Sequence, residues 1–122
     1  MLLVALGGAT GSVLRYLVGH WSLRVFGPAF PWGTLIVNIV GSFAIGLLTE
    51  LIARRFSAPM EMRLLLLTGF LGGFTTFSAF SLDALVLFER GAAITATAYV
   101  AASVGLSLAA VVGGLAFGRS MF

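Results

Sequence analysis

The stretch LGGFTTFSAFS, residues 71–81, sets two glycines, two threonines and two serines among three phenylalanines inside a long apolar run. Gly72 and Gly73 each cost a helix about 1 kcal/mol relative to alanine, and β-branched Thr75 and Thr76 weaken it further. A helix interrupted within lipid leaves backbone groups unpaired, which is tolerated only inside protein or along a cavity. Unwound carbonyls attract a cation, and the N-terminus of the following half-helix favours an anion. Phe77 and Phe80, three residues apart, share a face of that second half. The edge of an aromatic ring is electropositive. Ring edges, the hydroxyls of Ser78 and Ser81, and an amide could together replace water around a small anion.

Two further polar stripes stand at helical spacing. One is Thr34, Asn38, Ser42 and Thr49, in which the Asn38 amide offers two N–H donors. The other is Thr95, Tyr99, Ser103 and Ser107, at successive steps of four. Each reads either as interhelical hydrogen bonding or as the wall of a permeation path. Neither holds the carboxylate that a proton- or cation-coupled transporter uses. Asp83 is the one acid that falls deep in an apolar run, and Glu50, Glu61 and Glu89 read as interfacial. In the first run Gly7, Gly11, Arg15 and Gly19 lie four apart. Small residues at that spacing let helix backbones approach closely. Arg15 there must snorkel or pair, as an anchor or in a vestibule. GGATGS, residues 7–12, follows no strand and precedes no lysine, so it is no phosphate loop.

The elements that must position these residues follow from composition. The chain has 122 residues, 60% hydrophobic and 9% charged. Soluble domains carry about 25% charged residues, and a spanning helix needs about 20 apolar ones. Four spans, 2–26, 32–53, 63–89 and 92–117, fill a single unit over 1–122, the third broken at the glycines. Gly27, Pro28 and Pro31 punctuate the first loop, Trp32 sits at an interface, and Arg90-Gly91 makes a tight turn. Arg54, Arg55, Ser57, Pro59, Glu61 and Arg63 form the polar loop, and Arg119 closes the chain. No basic region precedes the first run, which reads as a retained helix and not a cleaved signal.

Other classes fall away. There is no cysteine, one histidine (His20) and no lysine. That excludes disulfides and thiolate metal sites and argues against a histidine relay; the chain does not read as an enzyme. A net charge of +3 from scattered arginines makes no nucleic-acid surface. With the N-terminus inside, Arg54, Arg55, Arg63 and Arg119 face Arg24 and Arg90 across the membrane, four against two. So slight a bias is compatible with insertion in both orientations. Four helices cannot readily shield a broken helix and also enclose a pore, so a dimer, with its partner inverted, is expected.

Three stretches in register, GGATGSVLRY (7–16), WGTLIVNIVGSFAIG (32–46) and GFLGGFTTFSAFS (69–81), resemble the CrcB/Fluc fluoride channels. The resemblance covers nearly the whole chain. It implies an all-α membrane protein that forms an antiparallel, dual-topology homodimer in the cell inner membrane. Each dimer would carry two pores that pass fluoride passively and exclude chloride, which confers fluoride resistance. It implies a structural Na+ at the dimer centre, on backbone carbonyls matching Gly72 and Thr75 of both subunits. Pore positions match Asn38, Phe77 and Phe80, with Tyr99, Ser103 and Ser107 as the polar track on the last helix and Ser78 and Ser81 beside it. Arg15 matches the arginine of the first span. Ala79 departs from the pattern, standing where many relatives have threonine. Two other readings compete: a small dual-topology efflux transporter for cationic drugs, which would need Asp83, and an assembly subunit that moves nothing.

Overall fold

The computed structural model describes residues 1–27, 29–54 and 60–121, with side chains for all of these but 53, 54, 60 and 61. Pro28 and, in the polar loop, Arg55, Ser57 and Pro59 lie outside the described residues, as do the side chains of Arg54 and Glu61. Four helices are long and apolar enough to cross a membrane: Leu2–Phe26, Trp32–Ile52, Leu64–Glu89 and Ala93–Met121.

Helix α1 runs over Leu2–Phe26 and ends at Gly27, whose φ of 82° suits glycine. Helix α2 spans Trp32–Arg54. The third crossing is composite. A single turn, α3 (Met60–Arg63), leads into a π-helical segment, Leu64–Leu71, and a short α4, Gly72–Phe74. Thr75 is then extended, at φ −84° and ψ 160°, and α5 begins at Ser78 and runs to Glu89. Gly91, at φ 82°, makes the turn into α6, Ala93–Met121.

Two features differ from the sequence expectation. Residues 64–71 wind as a π-helix, with hydrogen bonds closing five residues apart instead of four. And the last helix continues past Phe117, so Arg119 lies within its final turn and does not follow the helix. The reason lies across the bundle. Arg119 Nε donates to Glu50 Oε1 at 2.9 Å, and the Glu50 side chain rests on Gly118. A cation in the last turn also meets the negative end of the helix dipole. Glu50, expected at an interface, is only 9% exposed.

Glycines fix the two closest approaches. A methyl group at Gly7 would stand 2.5 Å from the Leu65 carbonyl oxygen, and one at Gly11 would meet the Phe70 carbonyl and the Phe74 amide. On the other side, one at Gly73 would stand 2.5 Å from the Gly8 carbonyl oxygen. The first and third crossings therefore touch backbone to backbone, as small residues four apart allow. Between α2 and α6 the same role falls to Gly46 and Gly114. The buried core, Leu35, Leu87, Ala96 and Tyr99, sits between α2, α5 and α6.

Candidate functional site

Where α4 gives way to α5, the backbone of Thr76 has no helical partner, and a side chain supplies one. Asn38 Nδ2 donates to the Thr76 carbonyl at 3.0 Å, and the Thr76 amide donates to Asn38 Oδ1 at 2.9 Å. The pairing is that of one β-strand residue with its neighbour, made by a carboxamide. It fixes which atom of Asn38 is nitrogen. It also uses one of the two Nδ2 hydrogens, leaving the other without an acceptor among the described residues.

Local hydroxyls complete the junction. Thr75 donates both its amide (2.9 Å) and its Oγ1 (2.8 Å) to the Leu71 carbonyl. Thr76 Oγ1 accepts the Ala79 amide at 3.2 Å, capping α5 by the usual hydroxyl-to-amide bond. Gly41 of α2 leaves room for the Thr75 methyl, which any side chain there would strike.

A cavity of about 480 Å³ opens at this junction. Asn38, Gly72, Thr75, Phe77, Phe80, Ser103 and Ser107 all line it, as do Ser42 and Thr76. Nine of the residues singled out from the sequence thus meet at one place. The rings of Phe77 and Phe80 stand 5.7 Å apart at 50°. Ser103 is 5% exposed, and its Oγ has no hydrogen-bond partner. A buried hydroxyl without a partner carries a cost of about 1–3 kcal/mol. Among the described residues the lining has no charged side chain. Its chemistry is that of neutral donors around a small acceptor.

Five expected residues stand elsewhere. Tyr99 does not line the cavity; fully buried, it packs on Phe80 at 5.3 Å and edge-on to Phe30 at 5.3 Å. Its hydroxyl lies 3.3 Å from Asp83 Oδ2, which also accepts from Thr34 Oγ1 at 2.8 Å. Ser81 is exposed and donates to the Phe77 carbonyl at 3.0 Å. Ser78 lies 3.4 Å from Thr76 Oγ1. Arg15 is half-buried on α1, away from the cavity, and makes no hydrogen bond or ion pair among the described residues. Thr49 bonds back to the Ile45 carbonyl of its own helix and leaves the α2 stripe.

Sequence reasoning missed the Thr34–Asp83–Tyr99 group. Its three members lie in three spans, and the only signal was an aspartate deep in an apolar run. Sequence reasoning left Asn38 open between interhelical hydrogen bonding and the wall of a path; half of its capacity is committed to the junction.

The family model described as CrcB-like protein, Camphor Resistance (CrcB), matches residues 2–115. A protein of Rhizobium etli (strain CIAT 652) named fluoride-specific ion channel FluC is 72% identical over 119 residues, which are 98% of this chain and 95% of that protein. Proteins of the same name are 68% identical over 120 residues in Agrobacterium fabrum (98% and 96% covered) and 61% over 121 residues in Rhizobium meliloti (99% and 97% covered).

Proposed function

The chain belongs to the CrcB family, and on that premise we propose that it is a passive, fluoride-selective channel of the cell inner membrane. The observation that carries the reading is the near-complete alignment, at 72% identity, with a relative named for that activity. The cavity is chemically suited to it. A small, strongly hydrated anion must exchange its water for donors. The spare Asn38 N–H, the unpartnered Ser103 hydroxyl, Ser107 and the edges of Phe77 and Phe80 offer donors without a fixed charge. No carboxylate among the described residues lines this cavity, so it is not itself suited to a cation.

The physiological logic is electrostatic. Hydrogen fluoride crosses membranes uncharged and ionises in the less acidic interior. A negative membrane potential then drives the anion out through any passive pore, by about 2.3 kcal/mol per charge per 100 mV. No bond is made or broken.

In this reading the active unit is an antiparallel pair of chains with two pores. What supports pairing is that Phe77, a lining residue, is 78% exposed in the single chain and that Gly72 is also exposed. The extended stretch at Thr75 is read as the break in the third helix. Its donor set fits Na+: no amide among the described residues donates to the Thr75 carbonyl, and unwound carbonyls are suitable ligands. The Gly72 and Thr75 carbonyls of both chains would hold the ion, which would supply positive charge where the two breaks meet. Arg15 is read as a vestibule or anchoring residue. Tyr99 and Ser81 flank the path.

Purified protein in liposomes tests the function. Under an imposed potential, fluoride should leave while chloride stays, as read by ion-selective electrodes. Equal chloride release would overturn the proposal.

A further inference from the structure

A second cavity, of about 500 Å³, lies at the end of the bundle that carries the α1–α2 and α5–α6 loops. Its volume is in the range of small-molecule sites, and it shares none of its lining with the cavity at the α4–α5 junction. Two polar groups on its wall are unspent. Ser22 is 2% exposed, and its Oγ has no partner, although serines in helices commonly bond back one turn. Asp83 receives both of its hydrogen bonds, from Thr34 and Tyr99, on Oδ2; Oδ1 has none among the described residues. An ionised carboxylate has about four lone-pair sites, so half its capacity stays open.

The rest of the wall is aromatic and apolar. Phe30 and Trp32 stand 4.7 Å apart, and Tyr16 and His20 stack at 6.2 Å and 12°. Ring faces beside a carboxylate attract cations and repel anions. Arg90 stands exposed on the rim. It lies seven residues beyond Asp83 on and just past α5, a rise of about 10 Å. That distance suits an anionic group on a ligand whose cation sits at Asp83.

The geometry points to a binding site for an organic ammonium with an apolar body: the ammonium on Asp83 Oδ1, the Ser22 hydroxyl beside it, the body between the rings. Two sources carry this chemistry, a free amphipathic amine and the headgroup of an aminophospholipid whose phosphate meets Arg90. Tyr99, which bonds to Asp83 and packs on Phe80, links the site to the junction cavity; binding is read apart from flux.

Calorimetric titration of phenethylamine into the detergent-solubilised full chain tests it. Saturable binding is expected, with a Kd on the order of 1 mM, and none for the neutral isostere 2-phenylethanol. Ser22→Leu fills the cavity and should weaken binding at least about tenfold. Asp83→Asn, which keeps the volume, should weaken it as much by removing the charge. Equal uptake of the alcohol, or undiminished binding in both variants, overturns the site. Vesicles of phosphatidylethanolamine that compete with the amine, where phosphatidylcholine does not, assign the site to the lipid; absence of competition assigns it to free amines. Either result upholds the ammonium chemistry.

Discussion

Two interfaces hold this small bundle together by opposite means. Where α1 meets the third crossing, Gly7, Gly8 and Gly11 lie against the backbone of residues 65–74, and no side chain intervenes. Around the start of α5, where it meets α2 and the first turns of α6, the contact is made by side chains: Asn38 on Thr76, and Thr34 and Tyr99 on Asp83. The first interface has no room and no polarity to spare. The second has a cavity, a spare amide hydrogen and a hydroxyl without a partner. The contrast suggests a division of labour, in which the glycine seam carries stability and the polar wall carries selectivity. Substitutions should then separate into those that lose the fold and those that lose the flux.

The largest effect is expected at the seam. Gly11→Leu drives a side chain into the Phe70 carbonyl. Overpacking costs about 1–3 kcal/mol, and more where backbone is the obstacle; the variant should yield no monodisperse protein on gel filtration. Recovery of a folded, conducting variant would break the comparison outright. Next comes Asn38→Ala, which strips both partners from Thr76 and one donor from the cavity. Loss of a preorganised donor in a dry site slows passage by about a hundredfold, while the bundle should stay folded by circular dichroism. Exchange of Na+ for a larger organic cation should reduce flux by roughly tenfold, if the Gly72 and Thr75 carbonyls depend on it for order. Unaltered flux after exhaustive exchange would remove the ion from the account. Phe80→Ile keeps bulk but loses the ring edge, an interaction of about 1 kcal/mol, so flux should fall about fivefold with the elution volume on gel filtration unchanged. The smallest change is Arg119→Gln. Its partner Glu50 is buried, but Arg119 is itself 60% exposed, so the pair contributes under about 1 kcal/mol. A shift in melting temperature of more than a few degrees would show that the C-terminal end is more than a clamp.

Much of the seam was legible in the sequence. Glycines four apart specify a close approach, and Gly7 and Gly11 make it. The turn at Gly91 and the span starting at Trp32 were equally plain, because glycine at positive φ and an interfacial tryptophan are local signals. The wall was legible only in outline. Periodicity put Asn38, Ser103 and Ser107 on polar stripes, and they share one cavity. Periodicity along a single helix cannot say which stripe meets which backbone atom. So the Asn38–Thr76 pairing and the Thr34–Asp83–Tyr99 group stayed hidden, and Thr49, in the same stripe, turned back to its own helix. The ion pair of Glu50 with Arg119 joins residues 69 positions apart and leaves no trace in local pattern. The π-helix over LLLLTGFL escaped notice too, since leucine suits either winding and no residue in it marks the wider ring.

That wider winding has an outcome for tolerance of insertions and deletions. A segment whose hydrogen bonds close one residue late stores, in effect, a surplus residue. Removal of a single leucine from 64–67 would let the run relax to ordinary α geometry at little local cost. Because the wider ring had absorbed that one residue, everything after it would keep nearly its original phase. Gly69, Gly73 and the junction would still face the first helix, and Thr76 its carboxamide. A second deletion has no surplus to draw on: it would turn the rest of the chain by about 100° and part Thr76 from Asn38. That stretch therefore tolerates the loss of one residue but not of two.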